Sequence, residues 1–284
     1  MKKLLVLVSA LLVLAGCANK EASPSTNDVL ITVGKNKITQ NQLFHTMKAS
    51  DAGSLAIEKG QNIITKDITD EEIADQVAEL LQKQKDDLKD DFLESIQSLG
   101  FETEEEYVEK NLKPYVRMKV YLEKTMSEDY ERLAIELMPR KIAVLEIKGK
   151  DKADEAKKLL SDGASISSIA KQLDQDVDLD GTETLEFMVT AQLPSIVSTF
   201  VKENNKPITS EVLETTEAEI KYYIVSVISA DVLELKDEAI ELALSNNKVT
   251  QAELAKIYKS KGFKIYDETI YKALKKSHGS YLAN

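Results

Sequence analysis

The chain has 284 residues, with 37 lysines and arginines against 49 aspartates and glutamates, and a formal net charge of -12. Charge of that sign is repelled by nucleic acid and by anionic lipid, which argues against a basic groove or a polybasic patch and favours cationic or neutral polypeptides as partners. One cysteine and two histidines exclude an internal disulfide framework and cysteine- or histidine-rich metal centres, so no cofactor or metal is expected.

Lys2 and Lys3 precede an apolar run from Leu4 to Val13, which ends in Leu14-Ala15-Gly16-Cys17. A cationic start, a short apolar core and small residues before a cleavage point are the parts of a secretory signal. The run falls short of the roughly 20 apolar residues that a membrane-crossing helix needs. A thiol at the new N-terminus can carry a thioether-linked diacylglycerol. Cys17 is therefore the expected lipidation site and 1–16 the signal peptide; a plain signal with a chance cysteine is the weaker reading. Two acyl chains anchor stably where one is marginal. Loss of Lys2 and Lys3 takes the mature chain to -14.

Residues 17–27 contain Ser23-Pro24-Ser25-Thr26 and read as a flexible tether. Val29 to Val33 reads as a strand, Gly34 to Lys37 as a turn, and Thr39 as a helix N-cap. From Thr39 to about Met138 the pattern is helical. The clearest stripe starts at Thr69, with Glu72 in capping-box spacing, and runs as one helix through Ile73, Val77, Leu88, Phe92, Ile96 and Leu99 to Gly100. Another helix starts near Thr103 and must kink or restart at Pro114.

At Pro139 the texture changes. Ile142 to Ile147 reads as a strand, 152–160 and 165–173 as helices, Thr184 to Val189 as a strand, Gln192 to Val201 as a helix, and Tyr222 to Ile228 as the strongest strand. Between them, Asp174, Asp176, Asp178 and Asp180 lack the glycine and closing glutamate of a calcium loop and read as a solvated loop. Helices follow at 236–244, 250–261 and 269–275. Carboxylate pairs such as Glu71-Glu72 read as solvated helix faces.

This order, a helical region interrupted by a β-α-α-β-α-β unit and then resumed, resembles the parvulin-type foldases, and most closely the PrsA-like extracytoplasmic foldase lipoproteins. The residues that carry the resemblance are Val33-Gly34-Lys35-Asn36-Lys37-Ile38-Thr39, Lys206-Pro207-Ile208-Thr209 and Lys221-Tyr222-Tyr223-Ile224-Val225, together with the lipidation motif. The resemblance implies an α+β fold. Segments 28–138 and 231–276 would form a mostly helical chaperone domain, with a parvulin-like domain inserted at 139–230 and a polar tail at 277–284.

The resemblance also implies a departure. Active parvulins flank the bound proline with a histidine from the first strand and another from the last. Here those positions fall at Ala143 and Tyr223, so the catalytic site is degenerate. Leu193, Ile196 and Phe200 are the candidate proline pocket, although a helix packing on its own sheet explains them equally well. His45 reads as a partly exposed helix residue and His278 as part of the tail.

The expected function is a chaperone or foldase for unfolded secreted polypeptides, anchored by lipid on the extracytoplasmic face of a cell membrane, with weak or no prolyl isomerase activity. The organism would be Gram-positive, and a homodimer remains open. The alternatives are an active isomerase that uses other residues such as Tyr223, and an adhesin or ligand-binding surface lipoprotein.

Overall fold

The structure, a computed structural model, describes residues 28–216 and 219–282, with the backbone alone at 49–52. Cys17, the expected signal peptide and the expected tether lie outside the described residues. The chain forms two compact units. One takes the segments up to Leu122 and from Lys248 onward, and the other is Glu123–Asn247.

The first unit opens with an antiparallel hairpin of β1 (Val29–Val33) and β2 (Asn36–Thr39), turned at Gly34 with φ +61°. Helix α1 (Gln40–Ile64) follows, capped by Thr39 and Gln42. Helix α2 (Asp70–Leu88) starts in the expected capping box: Thr69 N–H donates to Glu72 Oε2 at 2.8 Å, and Glu72 N–H to Thr69 Oγ1 at 3.3 Å. Satisfying two orphan amides reciprocally fixes this start.

The expected single helix from Thr69 to Leu99 is broken. Lys89, at φ +50° and ψ -124°, turns the chain out of α2; a short 3-10 turn leads into α3 (Phe92–Ser98). The apolar stripe survives the break, because Ile73, Val77, Phe92 and Ile96 enter one core with Phe101, Tyr107 and Leu112. Strain at a left-handed lysine, about 1–3 kcal/mol, exceeds the extra chain entropy of glycine, about 1 kcal/mol. Lys89→Gly is therefore expected to stabilise the fold by about 1 kcal/mol and to raise the thermal midpoint by a few degrees. A lowered midpoint would show that Lys89 is not strained.

Helix α4 (Glu104–Tyr107) is capped by Thr103 and runs into one π-turn at Val108–Leu112 before α5 (Lys113–Glu128). Pro114 is the cause: it lacks an amide proton and crowds the carbonyl four residues back. The helix widens ahead of it, and Lys113 N–H bonds to Val108 O, five residues back.

Helices α11 (Asn247–Ser260) and α12 (Glu268–His278) complete this unit. Helix α12 packs along α1, where Gly53 allows an approach that would put a Cβ 3.3 Å from Leu274 N. The segment expected as a polar tail is ordered up to Leu282. His278 closes α12, its ring lies 5.5 Å from that of Tyr281, and Tyr281 is buried with its hydroxyl donating to Gln251 Oε1 at 2.5 Å. The polar neighbours Ser277, Gly279 and Ser280 hide this one anchoring aromatic in the sequence.

The second unit is an antiparallel sheet of β3 (Pro139–Ile147), β4 (Asp180–Phe187), β5 (Ile208–Thr209), β6 (Leu213–Glu214) and β7 (Tyr222–Ser229). Its order is β4-β3-β7-β5, with β6 also on β7. Helices α6 (Tyr130–Leu137) and α10 (Lys236–Ser245) belong to it. Strand β4 begins four residues before the expected Thr184. Helix α9 (Ser195–Glu203) begins three after the expected Gln192, because Pro194 holds an extended ψ of 144° at its N-cap. Ser210 separates β5 from β6 while keeping the ladder closed: its N–H donates to Val225 O at 2.8 Å and its hydroxyl accepts from Val225 N–H at 2.9 Å.

Both faces of this sheet are covered. Helices α7 (Lys150–Ser161) and α8 (Ile166–Leu173) pack with Ala143, Leu145, Ile147, Tyr222 and Ile224. Helix α9 packs with Ile142, Val144, Tyr223, Val225 and Val227. The chain as a whole is α+β and mostly helical.

Candidate functional site

Successive side chains of a strand point to opposite faces. On β7 that rule sends Tyr223 and Val225 under α9 and Tyr222 and Ile224 under α7 and α8. On β3 it sends Ile142 and Val144 under α9 and Ala143 under α7 and α8. Cross-strand pairs agree: Val144 stands opposite Val225, Glu146 opposite Tyr223, and Ala143 opposite Ser226.

The structure therefore does not bring Ala143 and Tyr223 together. They lie on opposite faces of the sheet. On the Tyr223 face the β3 residue directly opposite is Glu146, and Val144, one position on from Ala143, shares that face one pair further along, opposite Val225. A one-residue slip in a strand exchanges faces completely.

Beside Tyr223 lies a cavity of about 300 Å³. Its lining includes Pro194, Ser195 and Ile196 from the start of α9, and Glu214, Thr215 and Thr216 from β6 and the loop after it. Of the three expected pocket residues, Ile196 lines this cavity. Leu193 and Phe200 are half-buried against the same apolar cluster, beside the fully buried Val197 and Val201 of α9, and do not line it.

Hydrogen bonds set the cavity's polar rim. Thr215 N–H donates to Lys221 O at 2.9 Å, and Lys221 N–H donates to the Thr215 hydroxyl at 2.9 Å, which pins the loop back onto the start of β7. Lys221 Nζ lies 3.8 Å from Glu146 Oε1. At the other end of β3, Arg140 and Glu186 are cross-strand partners and share a face. Burial pushes the Glu186 carboxyl up and the Arg140 guanidinium down from their ordinary values, since each loses water around its charged form.

No imidazole lines the cavity: its lining contains no histidine, and both histidines of the chain, His45 and His278, belong to the other compact unit. What the site offers instead is an apolar wall, the hydroxyls of Ser195, Thr215 and Thr216, and the buried Tyr223. Such a cleft can hold a short apolar segment and hydrogen-bond its backbone. Its one carboxyl is that of Glu214, and it lacks the imidazole that most often serves general acid-base work. Among the described residues no cluster of three or more metal-ligating side chains occurs. Glu214, Thr215 and Thr216 line the cavity and were missed by sequence reasoning.

No protein family and no curated protein matches the chain. Among solved structures it is similar to the foldase protein PrsA of Streptococcus pneumoniae, at 17% identity over 90% of this chain and 100% of that one, with a TM-score of 0.43. The peptidylprolyl isomerase PrsA of Bacillus cereus matches at 19% identity over 89% and 99%, with a TM-score of 0.47. PrsA of Bacillus subtilis matches at 19% identity over 86% and 96%, with a TM-score of 0.37.

Proposed function

We propose that this chain is an extracytoplasmic chaperone of secreted polypeptides, held to the membrane by acylated Cys17, with little or no prolyl isomerase activity. The observation that carries the second half is the cavity beside Tyr223: it keeps a peptide-sized cleft and lacks any imidazole. Rotation about a prolyl bond crosses a barrier of about 18–20 kcal/mol, and lowering it requires groups that favour the twisted imide over the planar one. A cleft without them binds both forms alike and does not accelerate their exchange.

Client binding is supported by the first unit. In its hairpin, Val29, Leu30, Ile31 and Val33 are all exposed, as are Leu43 and Phe44 at the start of α1. An isolated two-stranded hairpin is marginal in water, and its open edges invite an added strand. Emerging polypeptides expose apolar segments that aggregate, and such a surface can shelter them.

Aggregation and isomerisation assays separate this reading from its rival. The purified protein is expected to suppress aggregation of a refolding client at near-stoichiometric amounts and to leave a proline-limited refolding rate unchanged at catalytic amounts. Acceleration that is lost on Tyr223→Phe would establish the second reading, an isomerase working through the phenol. Absence of any effect on several clients would overturn the chaperone reading.

A further inference from the structure

The net charge of -12 is strongly segregated. Segments 28–66 and 248–282, which supply the hairpin, α1, α11 and α12, hold thirteen lysines against six carboxylates, a net of +7 that leaves -19 for the rest of the chain. These basic segments are packed into one layer: α12 lies along α1, and Tyr258 of α11 donates to Ile57 O of α1 at 2.6 Å.

Some of these lysines are neutralised locally, as Lys48 is by Asp267 and Lys272 by Glu268. Lys259, Lys261, Lys264, Lys275 and Lys276 are exposed and stand in no ion pair among the described residues. On α12 the 100° step per residue sets Tyr271, Lys272, Lys275 and Lys276 on one side and the buried Leu274 on the other. Tyr266 is 92% exposed just before this helix. Lysine with exposed tyrosine is the composition of side chains that settle at a lipid headgroup layer, aromatic ring inward and ammonium at the phosphate.

We propose that this face docks the first unit onto an anionic lipid surface. The inference rests in part on the reading of Cys17 as the lipid anchor. Ten residues separate Cys17 from Asp28, eleven steps with a reach of at most about 40 Å, so an anchored chain keeps its basic layer close to headgroups throughout its life. The acidic remainder does not forbid the contact, because at physiological ionic strength charges beyond about 8 Å are largely screened and the local sign decides. Tether and face would together orient the chaperone on the membrane.

The test uses the unacylated mature chain, residues 17–284 with Cys17→Ser, sedimented with vesicles of phosphatidylcholine alone or with a minority of phosphatidylglycerol. Binding is expected only with phosphatidylglycerol, to fall steeply with added salt, and to weaken about tenfold or more in Lys264→Glu/Lys275→Glu/Lys276→Glu. All three positions are exposed, so an unchanged thermal midpoint shows that the variant is folded. No binding to the anionic vesicles, equal binding to neutral ones, or full binding by the triple variant overturns the proposal. Salt-sensitive self-association without vesicle binding also overturns it and assigns the face to the acidic side of a second copy. Since no acyl chain takes part, failure here leaves the Cys17 reading standing; that reading fails separately if the native protein incorporates no acyl label.

Discussion

Val144→His combined with Tyr223→His is expected to accelerate proline-limited refolding at least about tenfold over the unaltered chain, whereas Ala143→His combined with Tyr223→His is expected to do nothing. The first pair places two imidazoles on the face under α9, one at Tyr223 in the cavity wall and one diagonal to it at Val144, the partner of Val225. The second pair splits them across the sheet, with one imidazole under α7 and α8. Val144 and Tyr223 are 5% and 2% exposed, so each new ring enters a nearly dry layer. A buried polar group without a full set of partners costs about 1–3 kcal/mol, and a lowered thermal midpoint is expected in both double variants. That shared cost makes the comparison informative: both proteins are strained, and only one has the geometry. Equal rates from two folded variants would detach the cavity from isomerase chemistry altogether.

The same pair of residues shows where the sequence stops being legible. Strand β3 was readable as a strand from Ile142 to Ile147, and β7 from Tyr222 to Ile228. Parity was not readable, because a sheet covered by helices on both faces has apolar side chains on both and loses the alternation that marks a half-exposed strand. Ile142, Ala143, Val144 and Leu145 are all buried. Only the packing of Ala143 with Ile166 and Ile169, and of Val144 with Val197 and Val201, tells one face from the other.

Elsewhere the legible parts were those with local chemistry. The capping residues Thr39, Thr69 and Thr103 set helix starts through side chain to amide bonds that need no tertiary partner. Pro114 announced a disturbance and produced the π-turn. The break at Lys89 had no such signal, since its unusual backbone sits at an ordinary lysine with no glycine or proline beside it. Net charge misled for a different reason: -12 is the sum of a basic layer and an acidic remainder, and only the docking of α12 onto α1 shows that the lysines at the two ends of the sequence share one layer.

Helix α11 docks onto α1 through Tyr258, and Tyr258→Ala is expected to destabilise the first unit by about 3–5 kcal/mol, enough to unfold it near physiological temperature if the unit is of ordinary stability. The ring is 1% exposed and packs edge to face against Phe263 at 4.8 Å and Tyr281 at 5.0 Å. Gly60 of α1 receives it so closely that a Cβ there would stand 2.7 Å from the phenol, so Gly60→Leu should approach the same loss by overpacking. The cluster also sets an alkaline limit. Burial pushes the Tyr281 hydroxyl up to about 12 and raises that of Tyr258 as well, because each phenolate would lose its water. In the unfolded chain both titrate near their ordinary value of about 10, so above that pH the unfolded state sheds protons that the folded state still holds. Stability from this pair is complete below about pH 10 and falls as pH rises through about 12. Urea titrations at pH 8, 10 and 11 measure the decline, and Tyr281→Phe should flatten it by removing one of the two protons. An undiminished decline in that variant would place the alkaline transition outside the cluster.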